Sequence, residues 1–303
     1  MRILLLGGTG FIGRHLIAHF HEQGHQVRIL SRSVRPDLKG SNTSVLVGNP
    51  LQSGPWQEEV AECQAVVNLV GRSIMDRWTS SVKKEILESR VQATRLVVQA
   101  MEQAKEKPVL VNANATGYYP FSESEVFDEQ SPPGDHFLAQ VCLAWQKEAL
   151  SAQTHGSRVV VTKFAPVLAA GGGMLKQVIP IFKKGLGGRI GSGQQPFPWI
   201  HVRDLVRAVN LAATDTTIHG PVNVCAPELI TNARFTQALA QALKRPAILP
   251  VPEFALRLRF GDLAETLTKG QAVRPTVLQD QGFSFAHTDI DQTLKDICMK
   301  NCY

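Results

Sequence analysis

The chain has 303 residues, of which 44% are hydrophobic and 19% charged, the balance of an ordinary globular protein. Its net charge of +6 comes from scattered Lys and Arg without a dense basic run, so we expect no nucleic-acid partner. No apolar run reaches the ~18 residues of a membrane span, and the first predicted strand starts at Arg2, so we expect neither a membrane partner nor a signal peptide.

The cysteines are widely spread and odd in number, which argues against a disulfide framework. None has a His or Cys counterpart at the spacing of a zinc site, so the sequence predicts no metal site. Reduced thiols in the cytoplasm are the simplest explanation. The five positions are Cys63, Cys142, Cys225, Cys298 and Cys302.

The first thirty residues predict a strand, a glycine-rich turn, a helix and a second strand. Arg2–Leu6 is a short apolar run, Arg14–Glu22 has helical spacing with Gly24 as its C-cap, and Gln26–Leu30 is again apolar. Strand, glycine turn, helix and strand in this order form the βαβ unit that binds dinucleotides.

The glycine turn supplies the first candidate ligands. Gly7 would let the chain turn sharply, Gly10 would let a pyrophosphate approach the backbone, and Gly13 would let the helix pack against the sheet. The G-x-x-G-x-x-G spacing differs from the usual G-x-G-x-x-G, and the alternative is an ordinary glycine-rich loop. Our predicted cofactor contacts here are Gly7, Thr9, Gly10, Phe11, Ile12 and Gly13.

The end of the second strand predicts which dinucleotide binds. An NAD site places an acidic residue there for the ribose 2′-hydroxyl, whereas this chain has Ser31 and Arg32, with Arg28 and Arg35 nearby. A hydroxyl and a guanidinium suit a 2′-phosphate. We therefore predict NADP(H) as the cofactor, held by Ser31 and Arg32; the alternative is a solvated basic loop.

The next strands predict further contacts at the same edge of the sheet. A third strand is expected at Val45–Val47, and Ala65–Gly71 is a buried run whose carboxyl end would face the cofactor. Arg72 and Arg77 could reach phosphate or form surface ion pairs. The predicted cofactor contacts are Asn68, Leu69, Val70, Gly71 and Arg77.

The middle of the chain continues the alternation of helix and strand. Hydroxyl and amide side chains cluster in 112–120, after a predicted strand, where α/β enzymes keep their chemistry. Lys163, at a strand end, could contact cofactor or substrate, or be an ordinary lysine. The predicted elements are helices Lys83–Ala104 and Phe137–Leu150 and strands Val109–Val111 and Arg158–Phe164.

The later chain contains an unusual glycine-rich segment, 171–193, which we interpret as a mobile loop beside a ligand because apolar residues flank it. Pro198–Leu205 leads into a helix, and His201 with Asp204 forms either a base with its orienting carboxylate or a structural latch. The remaining predicted elements are the strand Val222–Val224, the helices Phe235–Leu243 and Glu253–Lys269, and Leu278–Ile297, which ends in a short helix.

Five motifs together resemble the extended short-chain dehydrogenase/reductase superfamily: G-G-T-G-F-I-G, N-L-x-G, A-T-G-Y-Y, G-L-G-G-x-I-G-S-G and P-W-I-H-x-x-D. More narrowly, the chain is similar to the "epimerase family protein" subgroup, some of whose members are named as NADP-dependent oxidoreductases or cell-division inhibitors. The resemblance covers nearly the whole chain. It implies a Rossmann domain, NADP, and a substrate cleft between two domains.

The resemblance also implies a Tyr-x-x-x-Lys dyad, in which lysine lowers the phenol pKa and the phenolate exchanges a proton with the substrate. This chain departs from that pattern. Leu138 and Cys142 stand at the dyad positions, and Asn114 stands where a serine is expected. The substitutes with suitable chemistry are Tyr118 or Tyr119, with Asn114 and Thr116 as hydrogen-bond donors. The alternative is that both rings pack in the core or over the nicotinamide.

The sequence therefore predicts an α/β protein: a Rossmann doubly wound parallel sheet with a small, mostly helical C-terminal lobe. Residues 1–166 would form the NADP-binding domain, completed by 201–226, and 167–200 with 227–303 would form the substrate lobe. We expect an NADP(H)-binding, epimerase/dehydratase-like protein acting on a small molecule as an oxidoreductase or epimerase. The alternative is a catalytically silent NADP(H) sensor. Substrate and oligomeric state are left open.

Overall fold

Seven parallel strands form the central sheet of the computed structural model, which describes residues 1–38, 40 and 42–300. The strands are β1 Arg2–Leu6, β2 Gln26–Ser31, β3 Thr43–Val47, β4 Ala65–Asn68, β5 Val109–Ala115, β7 Val159–Phe164 and β10 Gly220–Val224. Their order across the sheet is β10-β7-β5-β4-β1-β2-β3. This is the doubly wound Rossmann sheet that the sequence predicts.

Two short parallel pairs lie outside the main sheet: β6 Val126–Phe127 pairs with β11 Ala272–Val273, and β8 Val167–Leu168 pairs with β9 Ile200–His201. The helices of the described residues are α1 Phe11–Glu22, α2 Glu58–Ala61, α3 Ser80–Gln103, α4 Phe137–Leu150, α5 Leu175–Lys183, α6 Val202–Thr214, α7 Asn232–Leu243, α8 Glu253–Phe260, α9 Leu263–Thr268, α10 Thr276–Asp280 and α11 Ile290–Lys300.

The sheet is apolar on both faces because helices cover both. Ile3 and Leu5 of β1 pack toward α1 and α6, whereas Leu4 and Leu6 pack toward α3 and α4. Alternate residues of one strand thus enter two different cores, as the two-residue period of a strand requires. The carboxyl ends of the strands are left open between the two helical layers, and the glycine turn lies there.

The glycine-rich segment differs from the predicted loop, because it contains the nine-residue helix α5. Leu175, Ile179 and Phe182 follow helical spacing and are buried in the core of the C-terminal lobe. That burial stabilises the helix although Pro180 lies inside it. The prediction of a continuous loop over 171–193 was therefore wrong.

The predicted helix Glu253–Lys269 is also wrong, because it is two helices that meet at Gly261. This glycine has φ +64°, outside the helical region, and it pairs with Trp78 across the molecule. Strand β5 differs in the opposite sense, since it runs to Ala115 and includes Asn112 and Asn114, beyond the predicted strand end at Val111.

The C-terminal lobe has its own hydrophobic cluster, which gathers Leu168, Trp199, Phe235, Leu294 and residues around them. The residues of this cluster come from segments that are separated in sequence. Part of the segment 227–303 nevertheless returns to the Rossmann sheet, since β11 pairs with β6 and α10 packs on β10. The division into domains stays a prediction.

Candidate functional site

The glycine turn leaves no room for side chains. Gly7 has φ +79°, and the amide of Gly10 donates to its carbonyl at 3.0 Å. A Cβ on Gly13 would lie 2.5 Å from both the Gly7 oxygen and the Gly8 Cα. Because the turn is bare and tight, the first amides of α1 stay open to a ligand, which is the geometry that binds phosphate. The residues present thus fit a dinucleotide pyrophosphate.

A cleft of about 1090 Å³ opens beside this turn, at the carboxyl ends of β1, β2 and β4. It is large enough to hold much of a dinucleotide. The predicted contacts among its lining residues are Gly7, Thr9, Gly10, Ser31, Arg32, Leu69, Val70 and Gly71.

Sequence reasoning missed several residues that line the same cleft. Asn49, Pro50 and Leu51 follow β3, and Ser89 and Gln92 lie on α3. The first three could have been found, because the carboxyl ends of parallel strands meet at one edge of a sheet. The two helical residues gave no signal, since their contact depends on how α3 crosses the sheet.

The basic residues near the end of β2 are not equivalent. Arg28 forms an ion pair with Glu59, and Arg35 donates to Asp37 at 2.9 and 2.7 Å. Arg32 is exposed at the cleft and pairs with no carboxylate within residues 1–38, 40 and 42–300. The guanidinium of Arg32, which lines the cleft with its chain neighbour Ser31, therefore stays available to an anionic ligand.

Several predicted contacts are absent from the lining residues. The ring of Phe11 lies against Gly172 and Gly173, and Ile12 packs against the core. Gly13 is buried behind the turn. Arg77 is exposed and lies beside Gly261 of the C-terminal lobe. The structure brings none of these four side-chain positions to the cleft wall.

Asn68 is buried behind the cleft and hydrogen-bonds to the loop 69–71, which lines the cleft. Its amide donates to Thr94 at 3.0 Å and to Asn112 at 2.8 Å, and its Oδ1 accepts from the Val70 amide at 3.1 Å. The Trp145 indole donates to the same Thr94 hydroxyl. This side chain therefore fixes the backbone at residues 69–71, and its direct contact with the cofactor stays a prediction.

A second polar group lies at the carboxyl ends of β5, β7 and β10. Asn114, Lys163 and Asn223 are adjacent in register across these three strands, and all three are buried. The Lys163 Nζ donates to the Tyr119 hydroxyl at 3.2 Å and lies 3.5 Å from the Tyr118 ring centroid. The Tyr119 hydroxyl in turn donates to Asn223 Oδ1 at 2.6 Å. Lysine and both tyrosines thus form one cluster.

Burial sets the protonation of this cluster. It lowers the pKa of Lys163 to about 8, and it raises the pKa of both Tyr118 and Tyr119. Burial also raises the pKa of the neighbouring Cys142 thiol to about 11. The phenols and the thiol are therefore neutral at pH 7, so they can donate protons but do not act as bases.

Of the two predicted catalytic hydrogen-bond donors, the Asn114 amide is engaged with the backbone and Thr116 is buried. The Asn114 amide donates to the Cys142 carbonyl at 2.9 Å, and its Oδ1 accepts from Ala115. Thr116 is buried, and its carbonyl accepts from Gln271 at 2.9 Å. Tyr119 has no exposed surface, and it stacks on Phe127 at 5.7 Å. Both rings belong to the buried core beside the sheet, and their catalytic role stays a prediction.

The helix positions of the expected dyad are occupied by packing residues. Leu138 joins Trp78, Ile86, Val141 and Leu263 in an apolar cluster between α3, α4 and the C-terminal lobe. Cys142 is buried beside Lys163. The lysine nearest the tyrosines is thus Lys163 of strand β7. Its ammonium group lies next to Cys142, the residue at the position where the dyad's lysine is expected.

The pair His201 and Asp204 acts as a latch. Asp204 is fully buried and accepts from the amides of Ala286 and His287, each at 2.9 Å, and from Arg207 at 3.0 Å. His201 caps α6 through the Arg203 amide and stacks on His287. The carboxylate therefore holds the C-terminal segment at 286–287 against the start of α6.

The Lys163→Met variant should lose a pH dependence that the natural chain has. The unfolded lysine titrates near 10.4, so between pH 8 and 10.5 the folded chain holds fewer protons than the unfolded chain, and its stability rises with pH. Relative to the variant, we expect the natural chain to gain about 2 kcal/mol of unfolding free energy from pH 7.5 to pH 10. Urea unfolding at both pH values measures this. Exposed Lys105→Met is the control, and an equal stability gap at both pH values would contradict the assignment.

Within the described ranges, no three His, Cys, Asp or Glu side chains are grouped to hold a metal ion. No helix in that part of the chain combines the length and apolarity of a membrane span. Cys63, Cys142 and Cys225 are buried thiols. Cys302 lies outside the described residues.

Comparison with known proteins identifies the family. Residues 3–225 match the model of the NAD dependent epimerase/dehydratase family, and 251–297 match a domain of unknown function, DUF1731. The chloroplastic epimerase family protein SDR39U1 homolog of Arabidopsis thaliana is 38% identical over 98% of this chain and 86% of its own length. Epimerase family protein YfhF of Bacillus subtilis is 36% identical over 98% of both chains.

Solved structures agree with this assignment. Human epimerase family protein SDR39U1 (isoform 2), crystallised with NADPH, superposes with a TM-score of 0.87 at 34% identity, over 99% of both chains. A UDP-glucose 4-epimerase of Thermus thermophilus complexed with NAD shares the fold, with a TM-score of 0.78 at 20% identity over 99% of this chain and 98% of its own. The chain therefore belongs to the NAD dependent epimerase/dehydratase family, as its motifs predicted.

Proposed function

We propose that this chain binds NADP(H) across the glycine turn. The amides at the start of α1 would bind the pyrophosphate, residues 69–71 would line the adenosine half, and Ser31 with Arg32 would hold the 2′-phosphate. The observation that carries the proposal is Arg32 at the cleft. It pairs with no carboxylate of the residues that the structure describes, whereas Arg28 and Arg35 on either side are both paired. The NADPH of the human relative supports the same choice.

Arg32→Ala should weaken NADP(H) binding and leave NAD(H) binding almost unchanged. A charge-assisted contact contributes about 1.5–3 kcal/mol, so we expect a loss of about tenfold or more. Isothermal titration of both cofactors measures it. Arg35→Ala is the matched control, because Arg35 is engaged with Asp37. An unchanged NADP(H) affinity in the Arg32 variant would refute the 2′-phosphate assignment.

The proposed reaction is that of an oxidoreductase or epimerase acting on a small molecule. Bound NADPH would supply a hydride to a carbonyl carbon. The chain would then supply a proton to the carbonyl oxygen, and a neutral tyrosine beside an ammonium can donate one. Tyr118 suits this role better than Tyr119, since the Tyr119 hydroxyl already donates to Asn223. Lys163, with a pKa of about 8, could return the proton.

The second candidate, a silent NADP(H)-binding sensor, is favoured by a different observation. Leu138 and Cys142 stand where the family's dyad is expected, and Leu138 is sealed into an apolar cluster with the C-terminal lobe. Tyr118 keeps only 7% of its surface exposed. A substrate would have to open this cluster to reach the phenol.

Turnover separates the two candidates. Purified protein with NADPH is assayed by absorbance against a panel of carbonyl compounds and nucleotide sugars. The oxidoreductase proposal expects oxidation of NADPH with at least one of them. An epimerase expects an epimerised nucleotide sugar, detected by NMR in reactions with NADP+, without net oxidation of the cofactor. Either activity should be lost in Tyr118→Phe at unchanged NADPH affinity. Binding of NADPH without turnover of any compound favours the sensor. If turnover survives in both Tyr118→Phe and Tyr119→Phe, a group other than these tyrosines supplies the proton to the carbonyl oxygen.

The compartment is also a proposal. Buried, reduced thiols support a reducing environment, and the cytoplasm is our first choice. The Arabidopsis relative is named as chloroplastic, so fractionation of the native host is the appropriate measurement.

A further inference from the structure

Two segments of the C-terminal region carry a net positive charge as large as that of the whole chain. Segments 181–189 and 244–259 together carry seven Lys and Arg and one acid, Glu253. Their net charge of +6 equals that of the whole chain, so the rest of the sequence is neutral in sum. We call these two segments the basic face.

The two segments are far apart in sequence but adjacent in space. The Val251 amide donates to the Arg189 carbonyl at 2.8 Å, and the Gly191 amide donates to Val251 at 3.0 Å. Gly188 touches the Leu249 carbonyl so closely that a Cβ would not fit. Arg189 also lines one groove of about 590 Å³ with Lys244, Arg245 and Ile248. Arg189, Lys244 and Arg245 therefore lie on one surface, and α5 and α8 are the helices that adjoin it in sequence.

The same face exposes bulky apolar side chains. It holds six of the fourteen large hydrophobic residues that are exposed in the described part of the chain, and Ile248, Phe254 and Leu258 are 83%, 73% and 76% exposed. Phe254 and Leu258 lie one turn apart on α8 and point to the same side, whereas Leu256 is buried. The six residues are Ile181, Leu186, Ile248, Leu249, Phe254 and Leu258.

The cations of the basic face are largely uncompensated. Arg257 pairs with Glu253 at 2.8 Å, and the other six make no ion pair with any residue that the structure describes. Proteins that bind the surface of an anionic bilayer do so with exposed apolar side chains surrounded by Lys and Arg, which is the combination found here. The apolar side chains would enter the headgroup boundary while Lys and Arg contact the lipid phosphates.

Other occupants fit this surface less well. A second copy facing it in two-fold symmetry would bring +6 against +6, which disfavours association. A nucleic acid would offer phosphates but no apolar surface for six exposed hydrophobic side chains. We propose that the basic face docks this protein on anionic phospholipid membranes. The sequence lacks an apolar run long enough to cross a membrane. That argues against a transmembrane segment, but it does not bear on a contact with the membrane surface.

The test is co-sedimentation of the full chain with vesicles of phosphatidylcholine and phosphatidylserine in a 70:30 ratio, compared with pure phosphatidylcholine. We expect binding to the mixed vesicles only. The double variant Phe254→Gln with Leu258→Gln should decrease partitioning about tenfold or more. Lys244→Glu with Arg245→Glu should decrease it to a similar extent, since each basic residue near the surface contributes about 1 kcal/mol.

Two controls separate this contact from general charge and from unfolding. Lys105→Glu with Lys295→Glu changes the net charge equally but lies outside the basic face, and it should bind almost as the natural chain does. The exposed substitutions should leave the thermal midpoint and NADPH binding unchanged, so the result does not depend on the cofactor assignment.

Three results would overturn the proposal. The first is no sedimentation with the mixed vesicles. The second is equal binding by the Phe254/Leu258 variant, which would indicate adsorption by charge alone. The third is binding of duplex RNA, of an acidic protein or of a second copy by the same residues without vesicle binding.

Discussion

Replacing Gly13 with valine should abolish NADP(H) binding and strongly destabilise the first βα unit. The position lies inside α1, where Gly13 is buried and its Cβ would lie 2.5 Å from the Gly7 oxygen and the Gly8 Cα. Both contacts are with backbone atoms, which cannot rotate away as a side chain can. Helix and turn would have to separate.

The expected losses follow from that separation. Because the turn and the first amides of α1 bind the pyrophosphate together, we expect NADPH affinity to fall at least about hundredfold. Unfolding free energy should fall by about 3 kcal/mol or more, as for a severe overpacking. Titration calorimetry and urea unfolding measure the two effects.

The control is Ala18→Val, an exposed position on the same helix. It introduces the same β-branched residue without a backbone collision, so it should cost only a few tenths of a kcal/mol. If Gly13→Val bound NADPH as well as Ala18→Val, the close packing of turn and helix would not be what organises the site.

Asp204→Ala should cause the second large effect, a loss of about 3–5 kcal/mol of unfolding free energy. The carboxylate has no exposed surface and accepts from two amides of the segment 286–287, from the His287 ring and from Arg207. Removing it leaves buried donors unpaired. Arg207 also donates to the Ser284 carbonyl. Loss of the Asp204 carboxylate therefore weakens the contacts between α6 and the whole segment 284–287.

Urea unfolding measures the total cost, and hydrogen exchange should show faster exchange at the amides of Ala286 and His287. Asp215→Ala is the comparison, because Asp215 is a partly exposed carboxylate that accepts from Thr217 within its own loop. A cost below about 1 kcal/mol for Asp204→Ala would show that the C-terminal segment does not depend on the latch.

Local patterns were sufficient for the first half of the nucleotide site. The strand Arg2–Leu6, the glycine turn, the helix and the position of Arg32 all follow from residues within about thirty positions of one another. Short-range sterics and hydrophobic period act at that distance. The same rules failed at 171–193, because the many glycines led us to predict a loop. The helical spacing of Leu175, Ile179 and Phe182 was the better signal, since their burial in the lobe stabilises α5.

By itself, the sequence determined the Rossmann class and the identity of the glycine turn, since these depend on local backbone geometry and apolar spacing. Its motifs carried the resemblance to the family. The tertiary structure alone decided which arginine has no carboxylate partner among the described residues. It alone also showed that Lys163 reaches Asn223 through Tyr119, and that Asp204 binds residues more than eighty positions away. It also joined two distant segments into the basic face. Such contacts require strand register and helix packing, which no local pattern encodes.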